Sequence, residues 1–162
     1  MTLTARVAAV QMVSSTRVDD NLNTAAALIE EAAGTGAQLV ALPEYFCLMG
    51  RGDSDKVALR ERDGRGPIQD FLAEQARRHG IWLVGGTLPL EAPEPDRVMN
   101  SVLVYGPAGE RVARYDKIHL FRFTKGDETY DEARTIAPGS AVTTFVFAPA
   151  GGPRLTVGLS VC

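Results

Sequence analysis

Apolar residues occur along the chain either in short contiguous runs or at helical spacing. This difference separates the predicted strands from the predicted helices. Short apolar runs at 6–12, 39–42 and 81–87 are typical of strands buried in a sheet. Between the first two runs, Leu22, Ala26, Ile29 and Ala33 repeat at helical spacing. Strand, helix and strand in this order predict a βαβ unit, in which a crossover helix joins two parallel strands.

Cap and turn residues set the predicted helix limits. The stretch 19–21 (Asp-Asp-Asn) offers N-cap candidates for the first helix, and Gly34 follows as its stop. Pro67 suits the first position of a second helix, and Gly80 suits its C-terminal end. The polar stretch 47–66 between them is predicted to be a surface loop that includes one helical turn.

The second half of the chain reads as strands. Residues 101–105 and 110–115 flank a Gly-Pro turn and predict a hairpin, and a long charged loop is expected from there to about Gly139. Two more strands are predicted within 143–161. Two helices against six or seven strands, with no linker between them, predict one α/β domain over residues 1–162, built as a single layered sheet with helices on its outer face.

Composition excludes several classes of protein. The chain has 162 residues, of which 45% are apolar and 23% charged, and its net charge is only -3, so neither disorder nor a basic nucleic-acid surface is indicated. Two cysteines cannot form a disulfide framework, and no secretory signal is recognisable, which favours the cytoplasm. No apolar run approaches the roughly 20 residues that cross a bilayer, so no membrane partner is expected.

Three candidate catalytic residues each follow directly on a predicted strand: Glu44, Lys117 and Cys162. If those strands are neighbours, a carboxylate, an ammonium and a thiol meet at one rim of the sheet. Lys117 would then favour the thiolate and stabilise an oxyanion, Glu44 would transfer protons, and Cys162 would attack a carbonyl carbon. Each residue alone also fits a structural role, as a buried cysteine, a solvated ion pair or a helix-start carboxylate.

Three short segments decide between these interpretations. Residues 42–46, 115–121 and 158–162 resemble the three signature segments of the nitrilase superfamily of carbon-nitrogen hydrolases, in the family's order and at its approximate spacing. The resemblance implies a four-layer αββα sandwich once two subunits pack, and hydrolysis through a thioester without a cofactor. It also implies that Glu44 is the general base, Lys117 the oxyanion-stabilising cation and Cys162 the nucleophile.

The same resemblance extends to further residues and to the substrate. Glu132, in a segment similar to the one that holds a second active-site glutamate in many members, is a candidate fourth catalytic residue. The context of Glu44 looks most like amidases of the deaminated-glutathione and omega-amidase type, which cut a small linear amide bearing carboxylates. Arg51 and Arg122 are hypothesised to pair with such a carboxylate. A homodimer or larger homo-oligomer is expected, with no nucleic-acid partner.

Three alternatives stay open on the sequence alone. Nitrile or N-carbamoyl hydrolysis begins with the same thiolate attack. A Cys-His dyad of His119 with Cys162 is the second alternative. Separately, neither His79 nor His119 has a paired ligand at metal-binding spacing, so no metal site is predicted. Because family members continue well beyond the nucleophile, the natural protein is expected to extend past Cys162, and a non-catalytic half that needs a partner chain is the third alternative.

Overall fold

The computed structural model describes residues 4–162, so the first three residues of the predicted domain lie outside the described part. Its strands are β1 (Val7–Ala9), β2 (Leu39–Ala41), β3 (Trp82–Val84), β4 (Leu88–Glu91), β5 (Val98–Tyr105), β6 (Arg111–Asp116), β7 (Arg122–Lys125), β8 (Glu128–Asp131), β9 (Ile136–Ala137), β10 (Thr144–Phe147) and β11 (Leu155–Gly158). Its helices are α1 (Val18–Gly34), α2 (Ser54–Leu59), α3 (Pro67–His79) and a 3-10 turn at Glu132–Arg134.

A seven-stranded mixed sheet forms the centre of the fold. β1, β2 and β3 run parallel, as the βαβ prediction requires, and β5 then pairs antiparallel with β3. The long β5 also pairs with β4, which lies along the same edge of β5 as β3. Its other edge pairs with β6 and β9. The predicted β5–β6 hairpin is therefore present, and it extends the sheet away from the parallel strands.

The two faces of this sheet pack against different partners, because successive side chains of a strand point to opposite faces. Val40 and Leu83 face a core that includes Ile29 of α1 and Leu72 of α3. The opposite face packs against the β10–β11 hairpin, whose apolar residues form a second core with Val102, Val104 and Tyr115. The described residues thus form three layers: helices, the large sheet and a two-stranded sheet.

The prediction of one sheet is therefore wrong for the end of the chain. β10 and β11 pair only with each other in an antiparallel hairpin, and they lie on the sheet instead of in it. The strands that precede Glu44, Lys117 and Cys162 are consequently not neighbours, since β3 and β5 separate β2 from β6. The approach of the three residues must come from other contacts.

Helix boundaries agree with the sequence where a backbone constraint defines them. α3 starts at Pro67, and Gly80 ends it in the left-handed conformation at φ 61°. The N-cap prediction for α1 is wrong, because the helix already begins at Val18. Asn21 lies inside α1 and is buried, where its side chain bonds the backbone of Ser15 and of Cys47.

Polar stretches contain more regular structure than their composition predicts. The expected loop before Gly139 contains the β7–β8 hairpin, the 3-10 turn and β9, and the stretch 47–66 contains the short helix α2. In residues 4–162 there is no helix of the length and apolarity needed to cross a bilayer.

Candidate active site

Lys117 follows β6 and lies at the centre of the candidate site. Its backbone N–H donates to the carbonyl oxygen of Asn100 on β5 at 3.0 Å, and its own carbonyl accepts from the N–H of Gly139 at 2.8 Å. A side chain on Gly139 would place its Cβ only 2.3 Å from the carbonyl oxygen of Asp116, so this close approach requires glycine. These two backbone bonds fix the direction of the lysine side chain.

The Lys117 side chain is 1% exposed and lies between two carboxylates. Its Nζ is 3.0 Å from Oε1 of Glu44 and 2.9 Å from Oε2 of Glu132. Burial acts to lower the pKa of Lys117, but the hydrogen bonds to Glu132 and Glu44 outweigh it and raise the pKa above its ordinary value. The ammonium is therefore held in its charged form.

The two carboxylates differ in how many of their oxygens accept hydrogen bonds. Glu44 accepts hydrogen bonds from Asn100 Nδ2 at 2.9 Å and from Lys117 at 3.0 Å, and both reach Oε1. Among residues 4–162, no donor reaches Oε2 of Glu44, and this side chain is 29% exposed. One oxygen of Glu44 therefore remains free for proton transfer.

Glu132, by contrast, has both oxygens engaged and is 4% exposed. The N–H of Phe121 donates to its Oε2 at 2.8 Å, and the hydroxyl of Tyr45 donates to its Oε1 at 3.1 Å. Burial acts to raise the pKa of Glu132, but the bonds from Lys117 and from the Phe121 N–H lower it below the ordinary value. Glu132 is held as a fixed anion beneath Lys117.

A strained turn after β2 positions Glu44. Tyr45 adopts φ 56°, which is costly for a residue with a side chain, and the hydroxyl of Thr87 accepts its N–H at 2.8 Å. Gly86 allows this turn, because a Cβ there would lie 2.2 Å from the carbonyl oxygen of Pro43. Burial, followed by the charges of Glu132 and Glu44, raises the pKa of Tyr45, so its hydroxyl stays protonated.

Cys162 reaches the same region from the β10–β11 layer. It is exposed, and it lies with Ser160 and Val161 along a pocket of about 290 Å³. Glu44 and Gly86 also line this pocket. The second cysteine, Cys47, is buried, and its burial raises the pKa of its thiol to about 12.

The other residues singled out in the sequence lie at the surface. Arg51 is exposed, and the guanidinium of the exposed Arg122 is 3.5 Å from Asp131. His119 is exposed and is not among the residues that line the pocket beside Cys162.

Sequence reasoning missed two residues that bond the carboxylates of the site, Tyr45 and Asn100, and it missed the burial of a neighbouring lysine, Lys56. Lys56, on α2, is almost completely buried, with its Nζ 4.1 Å from the centroid of the Tyr45 ring. Its only sequence signal was its place within a polar stretch, which is more typical of a solvated charge. In the part of the chain that the structure describes, no group of three or more His, Cys, Asp and Glu side chains could hold a metal ion.

Comparison with known proteins matches residues 6–162 to the family described as carbon-nitrogen hydrolase. The chain belongs to the carbon-nitrogen hydrolase family. Nit3 of Saccharomyces cerevisiae, a member of branch 10 of the nitrilase superfamily, superposes on this chain with a TM-score of 0.79 and 27% identity, covering 98% of the chain and 55% of Nit3. The predicted family and its α/β fold are thus confirmed.

Two curated amidases are similar in sequence to this chain. The omega-amidase NIT2 of Homo sapiens is 34% identical over 158 residues, which are 97% of the chain and 54% of that protein. The deaminated glutathione amidase of Yersinia enterocolitica is 35% identical over 161 residues, with 98% of the chain and 54% of that protein covered. The chain spans about half the length of the curated relatives it matches.

Proposed function

We propose that the protein is an amidase that hydrolyses a small linear amide bearing a carboxylate, through a thioester on Cys162. The observation that supports this most directly is the buried Lys117 ammonium between Glu44 and Glu132, with Glu44 and Cys162 lining one pocket. The similarity to an omega-amidase and to a deaminated glutathione amidase supports the choice of an amide over a nitrile.

In the proposed reaction, the free oxygen of Glu44 takes the proton of the Cys162 thiol, and the thiolate attacks the amide carbonyl carbon. Negative charge then develops on the carbonyl oxygen, and the ammonium of Lys117 stabilises it. Glu44 returns the proton to the nitrogen, the carbon-nitrogen bond breaks and ammonia leaves. Water, deprotonated by Glu44, cleaves the thioester and regenerates the thiol.

The two glutamates have different roles in this proposal. Glu44 is the acid-base catalyst because one of its oxygens accepts no hydrogen bond from the described residues and the residue lines the pocket. Glu132 acts as a positioning residue, since both of its oxygens are already bonded to Lys117, Tyr45 and the Phe121 N–H. This separation gives the cluster one mobile proton and one fixed counter-charge.

The proposal is tested by ammonia release from small amides, measured on the protein at its natural length. Cys162→Ala should abolish turnover, by about 10⁴-fold or more, and mass spectrometry of the wild type should detect an acyl group on Cys162. Cys47→Ala is the matched control and should retain activity. Full activity of Cys162→Ala would contradict the proposal.

We also infer a cytoplasmic homodimer or larger homo-oligomer. Both cysteines of the chain are free thiols, one of them exposed, which suits a reducing compartment. The exposed rings of Phe121, Phe123 and Tyr130 form a contiguous apolar patch, with the Phe121 centroid 6.5 Å from that of Phe123 and 5.7 Å from that of Tyr130, and such a patch favours association. Light scattering of the natural protein measures its mass, and a monomer would contradict the oligomer.

A further inference from the structure

Lys56 is a buried cation next to the charge cluster, on the short helix α2. The residue is 9% exposed, and its Nζ lies 4.1 Å from the centroid of the Tyr45 ring. A lysine ammonium at this distance from an aromatic face gains a cation–π attraction. Tyr45 in turn donates its hydroxyl to Glu132, so one aromatic ring connects Lys56 to the cluster around Lys117.

The Lys56 ammonium is not paired with an acid, in contrast to that of Lys117. Among the described residues, no carboxylate oxygen lies within 4.0 Å of Lys56 Nζ, and no hydrogen bond from this atom is formed. Every fully enclosed side-chain nitrogen and oxygen in residues 4–162 has a hydrogen-bond partner. Because Nζ of Lys56 has none, this atom is not fully enclosed and keeps a small contact with solvent at the end of a buried stem.

This position keeps the ammonium inside the field of the catalytic groups. Burial lowers the pKa of Lys56, while the negative charges of Glu132, Asp53 and Glu44 act to raise it and the charge of Lys117 acts to lower it. A cation that is mostly removed from water, yet has no anion of its own, gains free energy when an anionic ligand arrives. Arg51 and Arg122 are exposed, so water solvates their charges and they gain less from an anionic ligand.

We propose that the Lys56 ammonium binds the carboxylate of the amide substrate, an inference that rests on the proposed amidase function. The ligand class is a linear monoamide of a dicarboxylic acid, whose carboxylate would take the place of the missing counter-ion. The face of Tyr45 holds the ammonium in position without neutralising it. Lys56 then determines specificity, while Lys117 serves the reacting carbonyl group.

The test compares two amides of the same chain length on the protein at its natural length. Succinamate carries a carboxylate where butyramide carries a methyl group. Lys56→Met should raise KM for succinamate by about 10- to 100-fold and leave kcat/KM for butyramide within about twofold. Lys56→Arg keeps the charge and should retain most of the preference, and Lys125→Met, at an exposed position of the β7–β8 hairpin, is the matched control.

Two results would overturn the proposal: an equal loss for both amides, which a purely structural role of Lys56 produces, or unchanged KM for succinamate. A wild type that hydrolyses neither amide would refute the amidase function by itself. Calorimetric titration with succinate then decides on Lys56 separately. Binding to the wild type that is lost in Lys56→Met supports the carboxylate site, and equal binding or no binding to either protein overturns it.

Discussion

The cluster around Lys117 and the terminal hairpin that carries Cys162 are held in opposite ways. Lys117, Glu132 and Tyr45 are joined by hydrogen bonds that leave the lysine 1% exposed. The β10–β11 hairpin has no strand partner in the large sheet and is attached to it by apolar packing, with two added side-chain hydrogen bonds from Thr143 and Gln38 to backbone carbonyls. The charged groups are therefore preorganised by directional bonds, whereas the nucleophile depends on the docking of a layer.

The difference has an energetic basis. A buried ammonium is tolerated only when its charge is compensated, so removing any member of the cluster exposes a large desolvation cost. Apolar packing is not directional, and a hairpin that loses one side chain can shift and partly recover its contacts. Substitutions in the cluster should therefore lower the free energy of unfolding more than substitutions in the hairpin, and the following variants test this order.

The largest effect is expected from Lys117→Met, which leaves Glu44 and Glu132 facing each other without a cation. The free energy of unfolding should fall by about 3–5 kcal/mol, because the buried Glu132 and the partly exposed Glu44 lose their shared cation. kcat should also fall, by about 100- to 1,000-fold, because the oxyanion loses its stabilising charge. Urea unfolding and ammonia release measure both quantities, and Lys125→Met, an exposed lysine, should match the wild type in each.

Phe147→Ala tests how the hairpin docks. Phe147 is 1% exposed and meets the Trp82 ring edge-on, with 5.9 Å between the ring centroids. Truncation should cost about 3 kcal/mol, near the lower end for a buried phenylalanine, because the hairpin can settle into the gap. Val146→Ala, on the same strand with 39% exposure, should cost less than about 1 kcal/mol. Equal costs in urea unfolding would show that the hairpin does not dock through this face.

Gly86→Ala tests the strained turn that joins the two regions. Gly86 has φ 55°, and its Cβ would meet the carbonyl oxygen of Pro43 at 2.2 Å. Gly126→Ala is the matched control, since Gly126 has φ 59° but no atom within 4 Å of its Cβ. Both variants carry the cost of a left-handed alanine, so Gly86→Ala should lose about 1–3 kcal/mol beyond the control through the clash alone. Equal unfolding free energies would contradict the close approach.

The residues that sequence could predict are those controlled by their neighbours in the chain. Pro67 and Gly80 bound α3 because each fixes its own backbone conformation. Glu44, Lys117 and Cys162 could be singled out as candidates because each follows a predicted strand and lies in a short, contiguous segment that resembles the family.

What sequence could not predict depends on distant contacts. Asn100 bonds Glu44 across 56 positions, and nothing near Lys56 in the chain indicates that its side chain is buried. A short apolar run predicts a strand but not the sheet that the strand joins, which is why β10 and β11 were wrongly assigned to the single predicted sheet. Such errors arise wherever packing, not local propensity, decides.

The smallest expected effect is a pH dependence that belongs to the cluster and not to the hairpin. The pKa of Glu132 is lowered in the folded protein, because its bonds from Lys117 and from Phe121 N–H outweigh the effect of burial. Its contribution to stability is therefore complete above the unfolded-state pKa and is lost as pH falls through the folded-state pKa. Glu132→Gln should be less stable than the wild type at about pH 7, and this gap should close as the pH is lowered below about 4. Urea unfolding at several pH values measures the gap, and Glu128→Gln, at an exposed position of β8, should show none. A gap that stays constant with pH would mean that the Glu132 charge does not stabilise the fold.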